Sequence, residues 1–258
     1  RAFVVAVVLA PLLLAGSSAV FANLGPLTVS FIDVGQGDSI LLRAPDGTDI
    51  LIDGGPRSAG PTVVAYLLQE GVDDIEVMVV SHPHADHIGG LINVLQSAIP
   101  LEAVVCGLPG TTVTYSDFVA AMLYGRLTPT PVAEGQVFTW GQMAVSAQNP
   151  QTPPEGNTNE DSVMLLFTYG EHEFLFTGDI GSAAEADILA SGISIDADVL
   201  KVAHHGSKYS SNQAFKNAVT PSYAVIQVGE DNTYGHPAQE TLDRLAVVNA
   251  EVHRTALH

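Results

Sequence analysis

One stretch constrains this chain more than any other: Ser81-His82-Pro83-His84-Ala85-Asp86-His87-Ile88-Gly89-Gly90. It follows a largely apolar run over residues 75–80, the pattern of a strand buried on both faces. Imidazole nitrogens and carboxylate oxygens are the side-chain atoms that hold zinc or manganese at neutral pH. His82 and His84, two apart on extended backbone, point the same way and can reach one ion. Asp86 and His87 come after the chain begins to turn and can face a second ion beside it. Two neighbouring ions can activate water and stabilise the attacking and leaving oxygens of a displacement. The competing reading is a polar loop that is merely rich in histidine; HxHxDH spacing between a strand and two glycines argues against it.

Composition bounds what surrounds that stretch. The 258 residues, 47% of them hydrophobic, fit one large α/β domain with a short appendage. A single cysteine, Cys106, leaves no disulfide partner, and its place in an apolar segment reads as a structural thiol. Nine Lys and Arg against 28 Asp and Glu give a formal charge of -19. Phosphate backbones are held mainly by Lys and Arg, so tight, sequence-independent nucleic-acid binding by this chain alone is disfavoured. Phosphodiester chemistry is not, because bound cations would dominate the local field.

Residues 1–22 are apolar or small apart from Arg1. That length suits a bilayer span, and the expectation is the end of a transmembrane helix cut from a longer protein. A signal peptide cleaved after Ala22 is the alternative. Residues 23–26 read as a linker, and residues 27–258 as the domain. There, an alternating strand (27–32), a turn (33–38) and a hairpin around Asp46-Gly47 lead to Asp53-Gly54-Gly55. Helical patterns follow at 61–70, 88–98, 116–125, 182–190, 212–218 and up to residue 249. Further strands are expected at 143–147, 162–169, 173–177, 199–203 and 223–228, with a last one beginning at residue 251. Hairpins first and βα units after, twice over, predict two mixed sheets packed face to face with helices outside, a four-layer αββα sandwich.

The remaining candidates stand at strand ends. Asp179, after Thr177-Gly178, can bridge two metals or cap the helix at 182–190. His204 and His205 adjoin, so on extended backbone they point opposite ways; one ligates metal while the other meets substrate or acts as general acid, and which does which stays open. Ser207, Lys208 and the helix start after Ser210 can hold an anion, or form a solvated turn. Lys201 and Lys208 are the cations best placed for phosphate. His236 reads as a ligand or proton donor, or as a turn-capping residue before Pro237. Asp53 is expected to orient the metal loop from behind. Asp33 and Gln36 either line the cleft edge or build a turn. His172, His253 and His258 read as incidental.

The segments DVGQGDS (33–39), HPHADHIGG (82–90), TGD (177–179), LKVAHHGS (200–207) and YGHP (234–237), in that order, resemble the C-terminal metallo-β-lactamase domain of ComEC proteins, bacterial inner-membrane DNA-uptake channels. The resemblance spans about residues 27–257. It implies a dinuclear hydrolase holding two divalent ions, zinc or manganese, through His82, His84, Asp86, His87, Asp179 and His204 or His205. It further implies a nuclease on the extracytoplasmic side that degrades the DNA strand not imported, with the membrane-embedded channel of the same protein as its partner. Superfamily members usually carry another ligand histidine before the bridging aspartate. Here Asn159-Glu160-Asp161-Ser162 stands in that region, which leaves one site short of a ligand and favours manganese or a weakly held second zinc. The chain also stops before the closing strand expected of such a domain, and so reads as a fragment. Two other functions compete: a secreted hydrolase of a small phosphodiester, lactone or amide, and a domain that only gates or docks onto the channel.

Overall fold

A computed structural model of the chain describes residues 25–151, 154, 156 and 158–257, together with the backbone of 4–9. The first sheet has seven strands in sequential order: β1 (Val4–Leu9), β2 (Leu27–Ile32), β3 (Ile40–Arg43), β4 (Asp49–Ile52), β5 (Ile75–Val80), β6 (Leu101–Cys106) and β7 (Thr130–Pro131). Its first four strands are antiparallel, and β4 to β7 run parallel. The second sheet repeats the plan with β8 (Val137–Trp140), β9 (Met143–Asn149), β10 (Met164–Tyr169) and β11 (His172–Phe176) antiparallel, then β12 (Val199–Lys201), β13 (Tyr223–Ile226) and β14 (Glu251–Arg254) parallel.

Alternation along each strand divides its side chains between two cores. In β2 and β3, Leu27, Val29, Phe31, Ile40 and Leu42 face the opposite sheet, where they meet Val145, Leu165, Phe167, Phe174 and Phe176. Phe176 lies between Phe31 and Phe167, at ring distances of 6.4 and 5.3 Å. Truncating one of these rings to Ala would cost about 3–5 kcal/mol.

The outward residues Leu41, Leu51, Met78 and Val104 are covered by α1 (Gly60–Gln69), α2 (Ala85–Ile88), α3 (Leu91–Leu95) and α4 (Val113–Tyr124). On the second sheet, Met164, Leu175, Leu200 and Ala224 lie under α5 (Ser182–Ser191), α6 (Gln213–Val219) and α7 (Gln239–Val247). This is the αββα sandwich expected from the strand pattern.

Three local expectations change. The helix foreseen over 88–98 is two short ones, broken at Gly89-Gly90. The helical ladder is interrupted because Gly90 N donates to Gly55 O (2.8 Å) instead, an approach that only glycine allows, since a Cβ on Gly90 would stand 1.9 Å from the Gly54 carbonyl oxygen. The Pro-rich connection contains β7, an edge pair that tolerates Pro131. Of the expected membrane helix over residues 1–22, the described part is β1, a strand antiparallel to β2; the remainder lies outside the described residues. Among the described residues no helix is long and apolar enough to cross a membrane.

Candidate metal centre

The strands β4, β5, β11, β12 and β13 deliver their carboxyl ends to one crevice, the usual ligand position for parallel strands. The HxHxDH loop is pinned there by glycines. A Cβ on Gly37 would lie 2.2 Å from the Asp86 carbonyl oxygen, so only glycine lets the 33–39 loop lie against it. Asp38 N donates to that same oxygen (3.3 Å), and Gly54 N donates to His87 O (2.7 Å).

Asp53 organises the loop from behind. Its carboxylate accepts from Ser81 N (2.8 Å) and Ser81 Oγ (2.5 Å), and its Oδ2 lies 2.8 Å from His87 Nδ1. The His87 ring is thereby turned so that Nε2, which has no hydrogen-bond partner, stands 3.3 Å from Asp179 Oδ2. His82 places Nε2 3.0 Å from His84 Nδ1 and 3.8 Å from Asp179 Oδ2. The other face of His84 meets Thr158 Oγ1 at 3.0 Å.

The adjoining histidines separate in an unexpected way. Their backbone is not extended: both are left-handed, at φ 50° and 52°. His205 turns inward, with Nδ1 2.9 Å from Gln227 O and its unpartnered Nε2 3.5 Å from both Asp86 and Asp179. His204 stays 31% exposed, 3.9 Å from Asp179, with its ring 5.7 Å from that of His236. Asp179 does not cap α5: Gly181 is the cap residue, and Glu160 accepts from Gly181 N (3.0 Å) and Ala184 N (2.9 Å).

Two anion-binding expectations are corrected. Lys201 is buried and ion-paired with Asp38; its ammonium also donates to Gly178 O (2.8 Å) and lies 3.7 Å from Asp179, so it cannot meet substrate. The start of α6 is already occupied, since Ser211 N and Asn212 N both donate to the Glu185 carboxylate. Ser207 is buried, its Oγ accepting from Tyr209 N at 3.3 Å, whereas Lys208 is exposed on the same loop. Asn159 is half-buried beside Thr158, in the segment that also supplies the Glu160 cap. Asp33 and Gln36 accept from Gly35 N (3.0 Å) and Gly229 N (3.3 Å), both backbone contacts. Cys106 ends β6, half-buried, with its thiol pushed up by burial. His172 and His253 meet Asp198 and Glu251 away from the crevice, and His258 lies outside the described residues.

Sequence reasoning missed Asp38. It was legible as a Gly-Asp pair after an apolar strand, the same signal that singled out Asp179.

Carboxylates dominate the cluster. Asp38 and Asp179 flank one buried ammonium, that of Lys201, while Asp53 and Asp86 face His87 and His205 in the same cluster. Burial by itself would lower His205, but Asp179 and Asp38 outweigh it and push the imidazole up to about 9. His87 is raised well above its ordinary value against burial, by Asp179 and Asp53. His82 is instead held well below it by burial and by His87.

Residues 32–230 match the family model of the Metallo-beta-lactamase superfamily. This chain belongs to that superfamily. It is 29% identical over 247 residues to ComE operon protein 3 of Bacillus subtilis (strain 168), covering 88% of this chain and 31% of that protein. It is 31% identical to Competence protein ComA of Neisseria gonorrhoeae, covering 89% of this chain and 31% of the relative. The chain thus spans about a third of the length of these relatives. Among solved structures, the metallo-beta-lactamase fold protein YhfI from Bacillus subtilis superposes with a TM-score of 0.56 at 15% identity, covering 89% of this chain and 96% of that one. The chain is accordingly a superfamily hydrolase related to competence proteins.

Superfamily members typically hold a dinuclear metal centre, and the residues here fit one. Two sets of ligand atoms, His82/His87/Asp179 and Asp86/His87/His205, each lie within 4.8 Å of one another. Nε2 of His87, Nε2 of His205 and Oδ1 of Asp179 are buried without hydrogen-bond partners, which is costly unless a cation completes them.

Proposed function

We propose that this domain is a metal-dependent phosphodiesterase acting on DNA, and that it works on the extracytoplasmic face of a bacterial inner membrane as part of a ComEC-type uptake protein, on the strand that is not imported. The observation that carries the reading is the similarity to competence proteins over nearly nine-tenths of the chain. The intact ligand cluster supports an active rather than a purely docking domain.

In this reading His82, His84, Asp86, His87, Asp179 and His205 would hold two divalent ions, zinc or manganese. Bound there, the ions supply Lewis acidity and lower the pKa of water. The protein's own groups do the rest. Asp53 and Gln227 fix the ring orientation of His87 and His205 through their Nδ1 atoms. Lys201, paired with Asp38 Oδ2, keeps one positive charge beneath Asp179. His204, at the crevice mouth with His236 beside it, is the group positioned to give a proton to the leaving oxygen.

The test is hydrolysis of single- and double-stranded DNA by metal-stripped protein, with and without restored Mn²⁺ or Zn²⁺. Metal-restored cleavage of DNA is the expected result. Efficient cleavage of lactones or β-lactams with DNA and simple phosphodiesters untouched would overturn it.

A further inference from the structure

The loop that carries His236 presents an exposed aromatic ring beside the metal-binding crevice. Tyr234 is 69% exposed, as Tyr124 and Tyr209 are to a similar or greater degree; what sets it apart is that it stacks on His236 at 5.8 Å with 24° between the planes. His236 in turn meets the His204 ring edge-on, at 5.7 Å and 77° between the planes, and His204 reaches Asp179 at 3.9 Å, so the row of rings leads from Tyr234 to the cluster.

The loop holds this geometry through one residue. Asn232 Oδ1 accepts from Tyr234 N (3.2 Å) and His236 N (3.0 Å), while its Nδ2 donates to Gly229 O (2.8 Å) and His236 O (2.7 Å). One face of the Tyr234 ring lies on His236, and its exposure leaves the other open to a planar partner.

Charge decides what kind of partner suits it. Glu230 and Asp231 precede Tyr234 in the same loop, and the chain as a whole carries -19. A polyanion gains little here from phosphate contacts outside the metal cluster. Aromatic stacking needs no cation, holds any base by its π-face, and is a general means of seating single strands.

We infer that Tyr234 is a stacking platform for a nucleobase of a single-stranded nucleic acid, at a nucleotide close to the phosphate held by the cluster. The inference rests on the phosphodiesterase reading above. A duplex covers both faces of every interior base and offers a free face only at its ends, so the platform makes single strands the preferred substrate.

The experiment separates binding from turnover. Metal-loaded wild-type chain, Tyr234→Ala and Tyr234→Phe are compared in binding a hydrolysis-resistant phosphorothioate (dT)12 and its abasic counterpart. Wild type is expected to favour the base-bearing strand by about tenfold, within the range that one stacked base supplies. Tyr234→Ala should erase that preference, and Tyr234→Phe should keep it because the ring remains. A merely structural role would weaken both strands alike and leave the preference intact, which overturns the inference. So would a wild type that binds both strands equally or neither. If the preference depends on Tyr234 but no phosphodiester is cleaved, stacking stands and the catalytic reading falls. If DNA is cleaved but Tyr234→Ala keeps the preference, the catalytic reading stands and stacking falls.

Discussion

His204 and His205 show how much one residue of displacement matters at this site. Two consecutive non-glycine residues in the left-handed region cost about 1–3 kcal/mol each, and the surrounding structure sustains them: His204 N donates to Gly178 O and His205 Nδ1 sits against Gln227 O. Gln227 is held in turn, its Nε2 donating to Ile32 O (3.1 Å) and Ser39 O (2.9 Å). The strain turns one imidazole into the cluster and leaves the other at its mouth. His205→Ala should therefore lose about one equivalent of metal as well as activity. His204→Ala should keep its metal and lose about 10²–10⁴-fold in turnover, the usual contribution of a general acid. Elemental analysis beside rate measurement checks this pair, and equal metal loss in both variants would refute the division of roles.

At the scale of elements, α5, α6 and α7 enclose a second pair of buried charges. Lys216 on α6 is fully buried and donates to Thr241 O (3.0 Å) on α7. Burial, assisted by Arg244, pushes its ammonium down to about 7. Glu185 on α5, buried beside it, is pushed up to about 7 by burial although two backbone N–H groups donate to it. Because the folded Lys216 releases its proton near 7 while an unfolded lysine holds one to about 10.5, the unfolded chain binds more protons between those values. Stability then rises with pH across that window, and the contribution withheld by Lys216 is greatest below it. Lys216→Met should lack this rise. The stability of the variant relative to wild type should fall between pH 7 and pH 9.5 by an amount on the order of 2 kcal/mol. Denaturant melts of both proteins at the two pH values measure it, and parallel curves would count against the buried charge.

For the molecule as a whole, charge sets the terms of substrate binding. Of nine Lys and Arg, Lys201 and Lys216 are buried in ion-pairing or hydrogen-bonding roles. If DNA is the substrate, as proposed, its binding must then depend on the metal cluster rather than on a basic surface. The expected salt dependence is shallow, a slope of log K on log salt of about -1 to -2, where a protein with 6–10 phosphate contacts shows several times more. Chelation of the metal should abolish the binding outright and lower the melting temperature, since the carboxylates of the cluster would then be left to repel one another. Titrations at several salt concentrations, with and without chelator, decide the point. A steep slope that survives chelation would indicate a basic binding face that the described residues do not contain.

What the sequence by itself determined was local: the αββα plan, from strand periods interrupted by helical ones, and the gathering of the HxHxDH side chains at one strand end, where they could hold metal. Asp179 was also readable, because Gly-Asp after an apolar strand is a contiguous signal. Tertiary structure decided the assignments that depend on distant partners. Lys201 looked like a phosphate contact until the fold set it against Asp38 from the other sheet and buried it. The α6 start looked like an anion site until Glu185 from α5 reached it. His205 was distinguished from His204 only by the left-handed turn and by Gln227, a residue at the end of the neighbouring strand. The physical reason is common to all three. Spacing along the chain determines which side chains can share a direction, but burial and long-range pairing determine whether a charge faces solvent, a ligand or another charge.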